Sequence, residues 1–180
     1  MDALTLIEQH VKGQRGKPPL HLWNPALSGD IDIRILPNGE WLHNNSKIQR
    51  SALVKLFASI LRREQDGHYY LVTPVEKWRL QVEQAPLLIV DMDVLNSGSD
   101  RQQIVATTNV DDKVLLNAEH ALTVEFDAQT GEPFPTVALD HNLFAKVDRP
   151  VFYRLVDCGV DRDNCLVVLS DGCWFELGSL

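Results

Sequence analysis

The chain has 180 residues, 44% hydrophobic and 23% charged, enough to bury a sizeable core as one domain or as two small ones. A formal net charge of −8 argues against nonspecific binding to nucleic acid or anionic lipid, which positive surface drives. Residues 1–11 scatter charges where a signal peptide has a basic leader and an apolar run, and no stretch reaches membrane-spanning length, so a cytoplasmic protein with no membrane insertion and no nucleic-acid partner is expected.

Leu4, Ile7 and Val11 recur at helical spacing and predict a short amphipathic helix over 3–12. Residues 13–24 read as a loop, kept against the surface by Leu20, Leu22 and Trp23. Alternating Ile31, Ile33 and Ile35, the Pro37-Asn38-Gly39 turn and Trp41 predict a hairpin. Leu53, Leu56, Phe57, Ile60 and Leu61 then form one apolar stripe, predicting a helix over 51–64. Strands follow at 68–73, 78–82 and 87–92, with Pro74 and Pro86 implying edges or bends. Beyond a polar loop at 96–100, short strands are expected at 103–107, 113–116, 122–126, 136–139 and 143–147. Pro150 opens a second helix to 157, and a last hairpin over 166–177 turns at Asp171-Gly172. Cys158, Cys165 and Cys173 are odd in number and too widely spaced for a zinc knuckle, so free thiols are expected.

Two distant segments nearly repeat each other. Lys47-Ile48-Gln49-Arg50 leads into Leu53-Val54-Lys55-Leu56, and Lys146-Val147-Asp148-Arg149 leads into Val151-Phe152-Tyr153-Arg154-Leu155. Each is followed by an Asp-Gly turn, Asp66-Gly67 or Asp171-Gly172, and an aromatic strand. Such duplication predicts an α+β protein of two related hairpin-helix-strand units, 1–80 and 81–180, the second a bent sheet or partial barrel carrying one helix. A ligand is expected where related units meet.

Gly29-Asp30-Ile31-Asp32, Lys47-Ile48-Gln49-Arg50, the run 53–64 and Leu71-Val72-Thr73-Pro74-Val75-Glu76-Lys77 resemble the bacterial family known as domain of unknown function 1285. Thr108-Asn109, Glu119-His120, Arg149-Pro150-Val151-Phe152 and Ser170-Asp171-Gly172 extend the resemblance through the second half. It implies two domains with duplicated motifs, a C-terminal part superficially like pleckstrin-homology folds, and a site for a nucleotide-like ligand with a signalling role. Leu42, His43 and the Leu87-Leu88 pair stand where the family commonly has aromatic residues.

The repeated Lys-x-x-Arg is the strongest physical clue. Positive charge at a helix N-terminus opposes the macrodipole unless something negative sits nearby. Lys47 with Arg50, and Lys146 with Arg149, are therefore candidates for binding phosphate. Internal carboxylates, with Glu76, Asp30 or Asp148 as examples, are the alternative partners for both arginines. Thr73 and Glu76 are candidates to meet a ligand oxygen and a base edge or ribose, or else form a turn with Glu76 bridged to Arg50. Thr108, Asn109 and His120 are placed in or beside turns where a polar wall can form. The acid pairs Asp30/Asp32, Asp91/Asp93 and Asp161/Asp163 each share a strand face if extended, and read as solvated edge charge rather than a metal site.

No P-loop, dinucleotide fingerprint, zinc-helix or nucleophile-elbow motif is present, so neither a catalytic residue nor a cofactor is expected. The basic helix starts and the family resemblance together point to a non-enzymatic module that binds a small anionic, nucleotide-like ligand and passes its state to a signalling protein partner. Two other classes stay open. One is a hydrolase or transferase with Glu76 or His120 as general base; the other is an adaptor using Trp23, Trp41 and Trp78 surfaces.

Overall fold

The computed structural model describes residues 2–13 and 16–180; Met1, and Gln14 and Arg15 of the expected loop, lie outside the described residues. The chain divides into two units, residues 1–86 with 141–143, and residues 87–140 with 144–180.

In the first unit, α1 (Ala3–Val11) turns Ile7 and Val11 inward. The chain continues through β1 (Gly29–Ile35), β2 (Trp41–His43), β3 (Ser46–Lys47), α2 (Ser51–Ala58), β4 (Leu61–Arg63), β5 (Tyr69–Val72) and β6 (Lys77–Val82). These strands make one six-stranded sheet ordered β3-β2-β1-β6-β5-β4, in which β1 and β6 run parallel and the other pairs antiparallel. The alternation of β1 sends Ile31, Ile33 and Ile35 to one face, where Trp41, Phe57, Ile60, Leu61 and Leu71 are also buried. Each such side chain contributes roughly 1.5–3 kcal/mol of burial. Register aligns Asp30, Arg79, Tyr70 and Arg62 in a polar row on the opposite face.

The second unit contains β7 (Leu87–Leu95), β8 (Gln103–Thr108), β9 (Lys113–Leu115), β10 (Leu122–Phe126), β11 (Pro133–Ala138), β12 (Phe144–Val147), α3 (Arg149–Asp157), β13 (Val160–Arg162), β14 (Cys165–Ser170) and β15 (Cys173–Ser179). Its larger sheet is ordered β10-β11-β12-β7-β8-β9, with β12 parallel to β7, and β13-β14-β15 form a smaller antiparallel sheet. Both are open, so the expected bent sheet or partial barrel takes the form of two open sheets. Helix α3 buries Val151, Phe152 and Leu155. Pro133 and Pro135 are accommodated because β12 pairs with β11 only from Thr136 onward.

The duplication is real but its register is not the one the Asp-Gly turns imply. In each unit a helix is followed by a three-stranded antiparallel meander, β4-β5-β6 or β13-β14-β15. Asp66-Gly67 joins the first two strands of its meander, whereas Asp171-Gly172 joins the last two. Asp171 and Gly172 both have positive φ, 50° and 76°, as a two-residue hairpin turn requires.

Three other expectations are corrected. The helix expected over 51–64 stops at Ala58, because Leu61–Arg63 pairs with β5 while Ile60 and Leu61 still reach the core; tertiary pairing overrides the helical period. Pro74 and Pro86 lie in connections, so β5, β6 and β7 are interior strands rather than edges, although the β1–β6 and β7–β8 ladders each carry a register shift. Asp161 and Asp163 do not share a strand face, since Asp163 is in a turn at φ 54°.

Candidate functional site

At the start of α2, Lys47 ends β3 with Nζ 3.6 Å from Glu40 Oε1. Arg50 is the residue before the helix; its backbone is extended and its side chain caps nothing. The Arg50 side chain is 65% exposed, and its guanidinium lies 3.4 Å from Glu8 Oε2 of α1. An internal carboxylate thus meets Arg50, but none of those expected. Asp30 is instead paired with Arg79 at 2.7 Å, and no Glu76–Arg50 pair forms. Glu8 was missed because only the inward turn of Ile7 and Val11 brings its neighbour against α2.

Thr73 is fully buried, and its Oγ1 accepts the N–H of Glu76 at 2.9 Å and of Val75 at 3.3 Å, which closes the β5–β6 turn. One carboxylate oxygen of Glu76, Oε2, is buried and makes no hydrogen bond among the described residues. His10 Nδ1 lies 3.5 Å from it, but that nitrogen is 2.8 Å from the Leu6 carbonyl and donates there. The contact to Glu76 is therefore not a hydrogen bond. Arg50 and Glu76 are both approached by α1, through Glu8 and His10.

In the second unit Thr108 repeats the role of Thr73. It is buried, and its Oγ1 accepts from Asp112 N at 3.1 Å and Val110 N at 3.3 Å. Asn109 Oδ1 accepts Leu88 N at 3.0 Å and Asn109 N donates to Leu88 O at 2.9 Å, so its side chain completes the β7 ladder. Lys146 faces Leu88 across the parallel β12–β7 ladder, and its Nζ lies 5.1 Å from the centre of the Phe134 ring. Next along, Asp148 N donates to Ile89 O at 3.0 Å. Thr108, Asn109 and Lys146 are thereby gathered around Leu88 and Ile89, and Asp148, bonded to Ile89, leads into Arg149.

Asp148 precedes α3 without capping it through its side chain. Burial pushes its carboxyl upward, and Lys146 pulls the other way. Arg149 is the first residue of α3 and is exposed, with neither hydrogen bond nor ion pair among the described residues. His120 stands apart in the β9–β10 connection, its N–H on Asn117 Oδ1 and its Nε2 3.2 Å from Asp140 Oδ1.

A charged knot that sequence reasoning did not find lies in the first unit. Glu64 bridges Arg62 at 2.6 Å and Lys77 at 2.9 Å, and Arg62 also donates to the Leu20 and Trp23 carbonyls. That grip and the burial of Leu20 hold residues 20–23 against the fold, whereas Leu22, expected to help, is 70% exposed. Of the tryptophans proposed for an adaptor surface, Trp41 is 1% exposed and belongs to the core. The three cysteines are unbonded and half-buried. No helix among the described residues is long and apolar enough to cross a membrane.

Open sheets, a repeated helix-and-meander pattern and two basic helix starts define a two-unit α+β protein. The chain belongs to the DUF1285 family, a domain of unknown function: residues 18–85 match its N-terminal domain and residues 86–177 its C-terminal domain. It is similar to the crystal structure of a DUF1285 family protein from Silicibacter pomeroyi DSS-3, with 39% identity and a TM-score of 0.91 over 100% of this chain and 97% of that one. Another DUF1285 family structure, from Shewanella baltica OS155, shares 29% identity with a TM-score of 0.54, covering 71% of this chain and 92% of the other. No curated protein matches the chain.

Proposed function

We propose that the chain is a non-enzymatic, cytoplasmic module that binds a small anionic, nucleotide-like ligand at the start of α3 and passes its state to a partner in bacterial signalling. The observation that carries this reading is the contrast between the two basic helix starts. Arg50 has a carboxylate against it, supplied by Glu8 of the same chain. Arg149 occupies the corresponding place in the repeat and has no anion among the described residues. What Glu8 does in the first unit, a phosphate group of the ligand does in the second, helped by Lys146 and the helix N-terminus. Thr108 and Asn109 hold the adjoining loop in shape rather than reaching outward, since their oxygens are taken by backbone N–H groups.

Thermal unfolding against nucleotides and inorganic pyrophosphate tests this. A ligand at about 100 times its Kd stabilises by about 2.7 kcal/mol, a midpoint rise of roughly 5–10 °C for a chain this size. Arg149→Met should abolish the rise while leaving the unliganded midpoint in place. A rise that survives in Arg149→Met, or no rise with any anion, overturns the reading.

A further inference from the structure

We propose that Asn38 is a site of spontaneous deamidation, a covalent modification that makes the β1–β2 turn more acidic and, in one of its two products, longer. Asn38 alone among the asparagines of the chain is followed by glycine.

Asn38 is exposed in the connection between β1 and β2, and Gly39 follows it at φ 87°. The turn explains why a glycine stands there, and the same glycine has no side chain to block its own nitrogen from the neighbouring carboxamide. That carboxamide is folded back on the main chain, its Oδ1 accepting the Glu40 N–H at 3.0 Å. The bond polarises the Cγ carbonyl, as a donor facing a developing oxyanion does. One feature opposes the reaction: the Gly39 N–H donates to Leu36 O at 3.0 Å and must leave it before attacking. A single bond in an exposed turn opens readily, so the fold slows the reaction without preventing it.

The Gly39 nitrogen gives its proton to hydroxide and forms a bond to Asn38 Cγ. The Cγ–Nδ2 bond breaks, and Nδ2 leaves as ammonia with a proton taken from water, which closes a succinimide ring. Water then opens the ring. Breaking the new N–Cγ bond gives aspartate; breaking the bond from nitrogen to the Asn38 main-chain carbonyl gives isoaspartate, with the chain routed through Cβ and Cγ. Aspartate keeps the backbone and still accepts the Glu40 N–H. Isoaspartate adds a main-chain carbon between Leu36 and Glu40, whose 2.9 Å bond from Leu36 N to Glu40 O closes the hairpin. Either product sets a carboxylate beside Glu40, the residue 3.6 Å from Lys47 Nζ and next to the buried Trp41.

Incubation of the full chain at mildly alkaline pH, then digestion and mass spectrometry of the peptide holding residues 38 and 39, tests this. That peptide should gain the mass of an amide-to-acid exchange and separate into aspartate and isoaspartate forms. Its conversion should run roughly two- to twelve-fold slower than in the guanidinium-unfolded chain, the worth of the Gly39–Leu36 hydrogen bond. The peptide with Asn109, whose Oδ1 is tied to Leu88 N, should keep its mass. Gly39→Ala, compared with its parent in the unfolded state so that folding does not enter, should convert far more slowly. An unchanged mass at Asn38 in the folded chain overturns the proposal, whether or not the unfolded chain converts. Earlier conversion of another asparagine in the folded chain overturns the assignment, and an unchanged rate in unfolded Gly39→Ala overturns the part given to Gly39.

Discussion

The two units build different surroundings for the same pattern of helix and meander. In the first, the last meander strand β6 pairs parallel with β1, so the meander is absorbed into one six-stranded sheet and α2 is covered by α1. In the second, the meander remains a separate three-stranded sheet and α3 packs on β7 and β14. The consequence falls on the helix starts: Arg50 meets Glu8 from α1, while Arg149 meets no carboxylate among the described residues. A repeated motif therefore does not carry a repeated function. Whatever packs beside it decides whether its charge is satisfied from within.

The helices differ most in how they are anchored, and this comparison should give the largest effect. Phe57 is the one fully buried side chain of α2 and lies with its ring centre 6.4 Å from that of Trp41. Phe57→Ala should cost about 3–5 kcal/mol. Phe152→Ala should fall at or below the lower end of that range, because α3 keeps Val151 and Leu155 in the core. Urea denaturation with unit-resolved hydrogen exchange measures both. Equal losses would mean that the helices are anchored alike and that the difference between the units lies only in charge.

A second pair of substitutions should come out alike where the helices do not. Thr73 and Thr108 each use a buried hydroxyl to accept two N–H groups of the turn that follows. Thr73→Val and Thr108→Val keep the shape and strand both donors, so each should cost about 1–3 kcal/mol. A loss at Thr108 well below that at Thr73 would show that the second turn readily finds other acceptors.

These residues also show what could be read in advance. Alternating isoleucines and the Pro150 helix start are local signals, and they placed β1 and α3 correctly. The stripe from Leu53 to Leu61 has one period in sequence but two structures, because Leu61 reaches the core equally well from a strand paired to β5. Strands β3 and β13 were passed over although Asn44-Asn45 and Asp163-Asn164, all at positive φ, mark two-residue turns. The charged partners were not legible at all. Glu8 and Arg50 are 42 residues apart, and nothing short of the packing of α1 on α2 pairs them.

The smallest effect concerns acid, where Glu64 and Asp148 should respond with opposite signs. Burial alone raises the Glu64 carboxyl, but hydrogen bonds from Lys77 and Arg62 outweigh it and hold the group below the usual carboxylate range. Its folded value is depressed, so its contribution is present above the unfolded value of about 4.3 and is lost as pH falls through the lower folded one. Asp148 is raised by burial against the pull of Lys146. Its contribution is present below the unfolded value of about 3.9 and is lost as pH rises through the folded one. Between pH 6 and 3, Glu64→Gln should flatten the acid loss of the first unit, while Asp148→Asn should steepen that of the second. Unit-resolved exchange corrected for intrinsic rate reads both slopes. Asp91, held low by its hydrogen bond from Arg154, gives the second unit an acid loss of its own, so the comparison must be between each variant and its parent. If Asp148→Asn flattens its unit as Glu64→Gln does, then the basic groups at the α3 start outweigh burial at Asp148, and its carboxylate already offsets the positive charge that the ligand was proposed to meet.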